Sequence, residues 1–432
     1  MENKGCMKKK VLVYPCGTEI GLEVYRAMCF STHYELIGGT DGYDHGRFVF
    51  HELIEGLPFI KDDSTEKDIL LFEEAIRDQQ IDFVYPAMDG VIAVFAKYRH
   101  LFRETLIIPD TETAEMCRSK KATYERLKKV VSVPELFSSP YMVDRFPVFT
   151  KPDKGQGAVG ARKINNREEL EAVDFNKYVV MEYLPGKEYT IDCFTNSEGA
   201  LIYAKARGRK RIRNGISVNA VFEDNPAFYA IAEKINAAIR QKGGWFFQLR
   251  EAADGSLKLL EVAARIAGTS AISRNIGANL PLMSVDVFNG IRIDDLALNR
   301  YEIELDRALG NVYKTNIKYS TVYIDYDDTI VQDGIINTTT IKFLYQCINK
   351  KIRLVLLSKH DGDLQEELKR YRLTELFDEV IHIERSKNKK DYITVQDSIF
   401  IDDSYGERKA IKETFGIPVF DTHMLECLVE EQ

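Results

Sequence analysis

The chain has 432 residues, 45% of them hydrophobic and 29% charged, which exceeds one small module and excludes a disordered chain. Acidic residues outnumber basic ones 67 to 59, and the net charge of −8 argues against a general nucleic-acid binder. No apolar run approaches the 18 or so residues of a membrane span, so neither nucleic acid nor membrane is an expected partner.

The basic stretch Met1–Lys10 leads into a short apolar run, Val11–Tyr14, broken by Pro15 and Gly17 rather than extended into a secretory segment. The seven cysteines are scattered, without metal-ligand spacing, and read as reduced thiols, so a cytoplasmic location is expected. Next come a helix over about 21–30, a strand at Tyr34–Gly38, a helix over about 66–79 and a strand at Ile81–Tyr85, an alternation that predicts a parallel α/β sheet. The loop Pro15–Gly21 lies between strand and helix, where free N–H groups can receive an anion; a tight turn alone also favours its glycines.

A helix is expected over Thr111–Lys129, then a strand ending at Lys151, then a loop with Gly155, Gly157 and Gly160. Three glycines let backbone fold closely over phosphates, and a lysine supplies the opposite charge. The strands Tyr178–Leu184 and Glu188–Phe194 read as a pair joined by Pro185–Gly186, and Leu259–Val262 reads as a strand carrying Glu261. The run from Lys205 to Arg213 is the densest basic stretch of the chain.

Four ordered elements, Ser119–Lys120, Phe146–Pro152 with its glycine loop, Val179–Asp192 and Leu259–Arg265, resemble the ATP-grasp superfamily, specifically ligases related to the large subunit of carbamoyl phosphate synthetase. The resemblance implies an ATP-grasp α+β domain over 111–305, preceded by a Rossmann-like pre-ATP-grasp domain over 1–110. It implies ATP and Mg2+ as cofactors. Lys120 and Lys151 would contact the phosphates, with Gly155, Gly157 and Gly160 closing over them. Glu182 would lie at the adenine end, Tyr183 and Leu184 would offer backbone hydrogen bonds, and Glu188 would accept from the ribose. Glu261 and Gln248 would hold magnesium, and Arg265 would steady an acyl phosphate or a substrate carboxylate. Arg209 and Arg213 would bind an anionic substrate. Where relatives carry a ligating asparagine, this chain has Ala263, whose methyl group cannot coordinate.

Beyond a helix-like segment over 294–309 and a linker over 306–320, the strand Thr321–Ile324 ends in Asp325, Asp327 and Asp328, carboxylates that repel one another unless a cation lies among them. A helix with Ile341, Leu344, Tyr345 and Ile348 on one face, a strand ending at Ser358, a short helix opened by Ser386–Lys390 and a strand ending at Asp402–Asp403 follow. These motifs resemble the haloacid dehalogenase (HAD) superfamily, implying a capless HAD-like Rossmannoid domain over 321–432. Asp325 would be the nucleophile, Asp327 the general acid and base, and Ser358 with Lys389 (or Lys387 or Lys390) the phosphoryl ligands. The implied magnesium set is Asp325, Asp327, Asp402 and Asp403.

The expectation is thus an α/β multidomain, bifunctional enzyme: an ADP-forming carboxylate–amine ligase with a fused phosphatase. Small-molecule carboxylates and amines, phosphorylated ones included, are the expected partners, and a homo-oligomer is compatible with the sequence. The alternative is an ATP-binding scaffold in which only the phosphatase is catalytic.

Overall fold

The computed structural model describes residues 7–155, 157, 159–213, 216–308 and 310–430, with the side chains at 209, 210, 212, 213, 216 and 217 left aside. The chain forms two compact units, Met1–Leu309 and Gly310–Gln432.

The first unit opens with five parallel strands, β1 (Lys9–Tyr14), β2 (Tyr34–Gly39), β3 (Glu52–Ile54), β4 (Phe83–Pro86) and β5 (Thr105–Leu106), in the order β3-β2-β1-β4-β5. The unbroken apolar run of β1 is the signature of a strand covered on both faces. Val11 and Val13 enter one core, while Leu12 and Tyr14 enter another with Phe72 and Phe95. The first core also takes in Ile266, Leu280 and Met283, so segments read from sequence as two domains share one hydrophobic interior.

Two antiparallel sheets follow. β6 (Leu136–Phe137), β7 (Val148–Pro152), β8 (Arg162–Ile164) and β9 (Tyr178–Glu182) form one, in the order β6-β9-β7-β8. β10 (Glu188–Thr195), β11 (Leu201–Arg213), β12 (Ile216–Glu223), β13 (Gly243–Glu251), β14 (Leu257–Ala263) and β15 (Glu304–Asp306) form the other, in the order β14-β13-β10-β11-β12-β15.

Three sequence expectations are corrected here. The strands flanking Pro185–Gly186 are not a hairpin, because β9 pairs with β7 and β6 while β10 pairs with β11 and β13. The link crosses between sheets, and a Cβ on Gly186 would come within 2.4 Å of the Glu251 Cβ. The helix expected over 111–129 is two helices, Thr111–Arg118 and Lys120–Leu127, broken where extended Ser119 caps the second through its hydroxyl and the Ala122 N–H. The helix-like stretch 294–309 contains no helix among its described residues; it ends in β15, which pairs with β12.

On β10 and β11, Asp192 and Arg207 are both fully buried. Arg207 donates to both Asp192 oxygens, at 2.7 and 2.9 Å, and also to the Thr269 hydroxyl, while the Ser273 hydroxyl donates to Asp192 at 3.1 Å. One residue of the basic run is therefore internal scaffold rather than substrate contact.

The second unit is built on β16 (Thr321–Ile324), a hairpin of β17 (Val331–Gln332) and β18 (Ile335–Ile336), then β19 (Arg353–Ser358), β20 (Glu379–His382), β21 (Ser398–Ile401) and β22 (Val419–Phe420). Five of these strands form a parallel sheet, β20-β19-β16-β21-β22. The helix Thr338–Asn349 buries Thr340, Phe343, Leu344 and Cys347; of the face expected from Ile341, Leu344, Tyr345 and Ile348, Leu344 is buried and Ile341 packs against the core, while Tyr345 and Ile348 are exposed. The described cysteines are free, and no described helix is long and apolar enough to cross a membrane.

Removing the charge of Asp192 would strand a buried guanidinium, a loss that typically costs about 3–5 kcal/mol. Urea denaturation of Asp192→Asn should show a destabilisation of that order, and the double variant Asp192→Leu with Arg207→Met should recover most of it.

Candidate functional site

In the first unit a cavity of about 270 Å3 lies where β7, β9 and the Pro185–Gly186 link face β13 and β14. Its wall collects Lys120, Lys151, Gly155, Gly157, Glu182, Tyr183, Leu184, Glu188, Gln248 and Glu261; Gly160 lies outside the lining. Arg250, Leu260, Phe149 and Met181 complete it, residues the motifs did not single out because they occupy ordinary strand positions.

The Lys151 amine donates to the Leu260 carbonyl at 2.9 Å, a carbonyl that also accepts from the Tyr124 hydroxyl at 2.7 Å. Burial pulls this amine down to about 8; nearby Glu261 opposes the shift and Lys120 adds to it. The site thus holds a desolvated cation whose compensation inside the protein is incomplete.

The entry to the glycine loop is anchored by Asp153, whose carboxylate accepts from the Ser119 hydroxyl at 2.9 Å and from the Lys121 N–H at 2.8 Å. Lys120 donates from its amine to the Asp153 carbonyl at 3.3 Å. Arg118 grips Asp62 through two hydrogen bonds, at 2.8 and 2.6 Å, and gives a third to the Gly155 carbonyl at 3.1 Å. The loop is thereby tied to the segment following the first sheet's β3. Arg118 was missed although it immediately precedes the Ser119–Lys120 motif.

At the other end, Glu182 accepts from the Glu135 N–H at 2.9 Å and lies 3.7 Å from the Lys258 amine, while Glu188 lies 3.6 Å from Arg250. Gln248 and Glu261 are cross-strand partners on β13 and β14, so an amide and a carboxylate oxygen project beside each other, a hard donor pair that suits Mg2+ completed by phosphate oxygens. Ala263 packs with Phe246 and Ala267 in a small apolar cluster.

Arg265 does not line the cavity. Its Nε and Nη2 bind Asp89 at 2.9 and 2.6 Å, and although burial opposes its charge, Asp89 outweighs that and holds it above its ordinary value. The side chains of Arg209 and Arg213 lie outside the described residues; of the rest of the basic run, Arg211 pairs with Asp306 at 2.6 Å and Lys205 lies over the Phe222 ring. In the loop Pro15–Gly21, Thr18 caps the following helix, and a Cβ on Gly17 would meet the Asp44 carboxylate at 2.2 Å, a neighbour that disfavours an anion there.

In the second unit, Asp325, Asp402 and Asp403 bring carboxylate oxygens within 4.8 Å of one another at the carboxyl ends of β16 and β21. Lys389, nearly fully buried, lies 2.7 Å from Asp325 and 2.6 Å from Asp402, whereas Lys387 is exposed. Burial and the proximity of Asp325 push Asp402 up to about 7, with Lys389 opposing; burial also raises Asp325, opposed by Lys389 and the Ser358 hydroxyl. Asp327, the fourth member of the implied metal set, has a half-exposed carboxylate bonded to His360 Nδ1 at 2.9 Å and is not one of the three clustered carboxylates. His360, two residues beyond Ser358, also went unread; its carbonyl accepts from His382 at 2.8 Å.

Residues 174–307, from β9 through β15, match the family described as ATP-grasp in the biosynthetic pathway with Ter operon. No curated protein sequence matches the chain. Among solved structures, the biotin carboxylase domain of 2-oxoglutarate carboxylase from Hydrogenobacter thermophilus, in complex with MgADP and bicarbonate, superposes with a TM-score of 0.55 at 16% identity over 67% of this chain and 71% of that one. N5-carboxyaminoimidazole synthetase from Staphylococcus aureus gives 0.54 at 16% identity over 68% and 81%. Biotin carboxylase from Campylobacter jejuni gives 0.54 at 15% over 68% and 74%. At these identities the likeness is one of fold: the first unit has an ATP-grasp-like fold, and residues 174–307 of it match the ATP-grasp family model.

Lys151 carries its charge below about pH 8 and loses it above. Calorimetric titration with a non-hydrolysable ATP analogue should therefore show affinity falling as pH rises from 7 to 9, approaching about tenfold per pH unit at the alkaline end. Lys151→Met should bind weakly with a flat profile; an equally steep profile in that variant would assign the titration elsewhere. Stability carries the opposite sign, since the unfolded lysine keeps its proton to about pH 10.4: the unliganded wild type should gain on Lys151→Met between pH 8 and 10.

Proposed function

We propose that the first unit is an ADP-forming carboxylate–amine ligase. The observation that carries this reading is the single cavity uniting Lys120, Lys151, two loop glycines, Glu182, Glu188, Gln248 and Glu261. In this reading residues 1–110 act as a Rossmann-like domain and 111–305 as the ATP-grasp domain. Lys120 and Lys151 hold the phosphates, the Gly155–Gly160 loop closes over them, and Glu188 accepts from the ribose. Mg2+ would be held by Glu261 and Gln248, where it would supply positive charge to the phosphate oxygens. A substrate carboxylate takes the γ-phosphoryl group, giving an acyl phosphate and ADP; an amine then forms the amide and releases phosphate. Arg265, clamped by Asp89, ties the end of β14 to the helix after β4 in this reading. Arg209 and Arg213 remain the proposed anionic-substrate contacts.

The second unit is proposed to be a HAD-type phosphohydrolase, a reading supported by Lys389 bridging Asp325 and Asp402 and by the three-carboxylate cluster. Those three carboxylates, all hard oxygen donors, suit Mg2+, which would neutralise the phosphoryl oxygens. Asp325 attacks phosphorus, Asp327 protonates the leaving oxygen and later takes a proton from water, and Ser358 and Lys389 hold the phosphoryl oxygens. His360 would orient Asp327. Ligation of a phosphorylated acid or amine followed by removal of its phosphate is the sequence of reactions the fused units suggest. The packing of Ala263 in an apolar cluster favours one rival, an ATP-binding scaffold whose phosphatase alone is catalytic. The Hydrogenobacter neighbour is described as a dimer, and a homo-oligomer belongs to the reading.

Purified protein with Mg2+ and ATP, given a panel of acids and amines, should release ADP and orthophosphate only when both are present. AMP release, or nucleotide binding without turnover across the panel, would defeat the ligase reading. Separately, the full chain should hydrolyse an aryl phosphate in Mg2+, and Asp325→Asn should lower that rate by at least about a thousandfold while ADP release persists.

A further inference from the structure

A second cavity in the first unit, of about 590 Å3, shares no lining residue with the first. The turn between the helix Pro226–Ala238 and β13 forms one side of it, and the segment after β5 forms another. Three basic side chains, Arg99, Arg240 and Lys242, line this space.

None of the three forms a close ion pair among the described residues, and only Arg99 has an acid, Asp110, near enough to offset part of its charge. Lys242 is partly buried, and its only recorded contact is with the Phe288 ring, 4.3 Å from the ammonium. An aromatic face attracts a cation but carries no net charge to neutralise it. Burial pulls both Lys242 and Arg99 below their ordinary values, opposed at Arg99 by Asp110. Arg99 commits one guanidinium nitrogen to the carbonyls of Ile108 and Pro109. The acids of the wall are already engaged: Asp110 accepts from the Thr113 N–H at 2.8 Å to cap a helix, and Glu198 lies 3.6 Å from Arg292. Lys242 is the partly desolvated cation among them with no acid offsetting its burial, Arg240 adds an exposed positive charge and Asp110 offsets Arg99 only in part, so an anion in the cavity would supply the counter-charge that the chain does not.

We propose that this cavity binds a small multivalent anion, a di- or tricarboxylate or a phosphorylated metabolite, with Lys242 as the central contact. The site stands on its own residues and does not depend on the ligase reading.

Thermal denaturation of the full chain without divalent cations, at constant ionic strength, tests it with tricarballylate and with pyrophosphate as probes. At least one probe should raise Tm along a saturating curve, and which one does so separates carboxylate from phosphate recognition. That rise should survive Lys151→Met, which impairs the first cavity, and should weaken by about tenfold or more in apparent affinity in Lys242→Met, which keeps an apolar stem against Phe288. Without probe, Lys242→Met should melt no lower than wild type, because it removes an unmatched charge. A rise without saturation, a rise unchanged in Lys242→Met, or a rise abolished by Lys151→Met would each overturn the proposal. If Lys242→Met fails to fold, Arg240→Gln at an exposed position serves the same comparison.

Discussion

Burying a positive charge obliges the chain to supply a counter-charge or to leave the cation poised for a ligand, and the first unit does each in turn. Arg207 is fully matched by Asp192, with Thr269 and Ser273 taking the remaining polar contacts, so it is inert scaffold. Arg265 is matched by Asp89, which joins the end of β14 to the helix after β4. Lys151 has only a carbonyl at hydrogen-bond distance, and Glu261 offsets its burial incompletely. The same residue class thus serves as framework, as tie between sheets and as proposed phosphate contact, and the degree of compensation separates the three.

The placement of the first cavity follows from the Pro185–Gly186 crossing. Glu182 ends β9 in one sheet and Glu188 begins β10 in the other, with only five residues between them, so a single short link sets the gap between the two carboxylates in the cavity wall. Close approach of Gly186 to Glu251 fixes the link against the end of β13, and the Gly186 N–H donates to the Glu251 carbonyl at 3.1 Å. Arg118 adds the third element of this geometry by holding Asp62 with one edge and the Gly155 carbonyl with another nitrogen. A movement of the β3-following segment would therefore be felt at the glycine loop through one side chain, which is how contiguous two-partner contacts couple distant segments.

Local signals in the sequence were sufficient where chemistry and strand ends coincide. Lys151, Glu182, Glu261 and the carboxylates after β16 and β21 all terminate or punctuate apolar runs, so their position at or near a strand end could be read directly, whereas their burial could not. Pairing was not legible in the same way: strands separated by proline and glycine look like a hairpin whether they pair with each other or with different sheets, because the long-range partners carry the information. Ser119 was read as part of a recognition motif, yet its extended backbone and capping hydroxyl also divide one apolar pattern into two helices. Among the basic residues, sequence spacing could not tell which would be internal; that depended on Asp192 lying diagonally across from Arg207 on β10. In the helix Thr338–Asn349, the core face includes Thr340 and Cys347, small residues that a search for large apolar side chains passes over.

The second unit poses the complementary charge problem. Asp325, Asp402 and Asp403 converge while Lys389 supplies one positive charge between the first two, so the cluster retains excess negative charge that burial makes expensive. Burial and the neighbouring Asp325 accordingly raise Asp402 to about 7, against the opposing charge of Lys389. A divalent cation held by these carboxylates would favour their ionised forms. An incoming phosphoryl group would then meet a cation and Lys389 together rather than three bare carboxylates, so metal and phosphate ester should assist each other's binding in the proposed phosphatase. The lysine is indispensable to this balance: buried against its own charge, it is held protonated by the two aspartates that outweigh that burial, and it cannot leave either carboxylate without exposing the other to the full repulsion of the cluster.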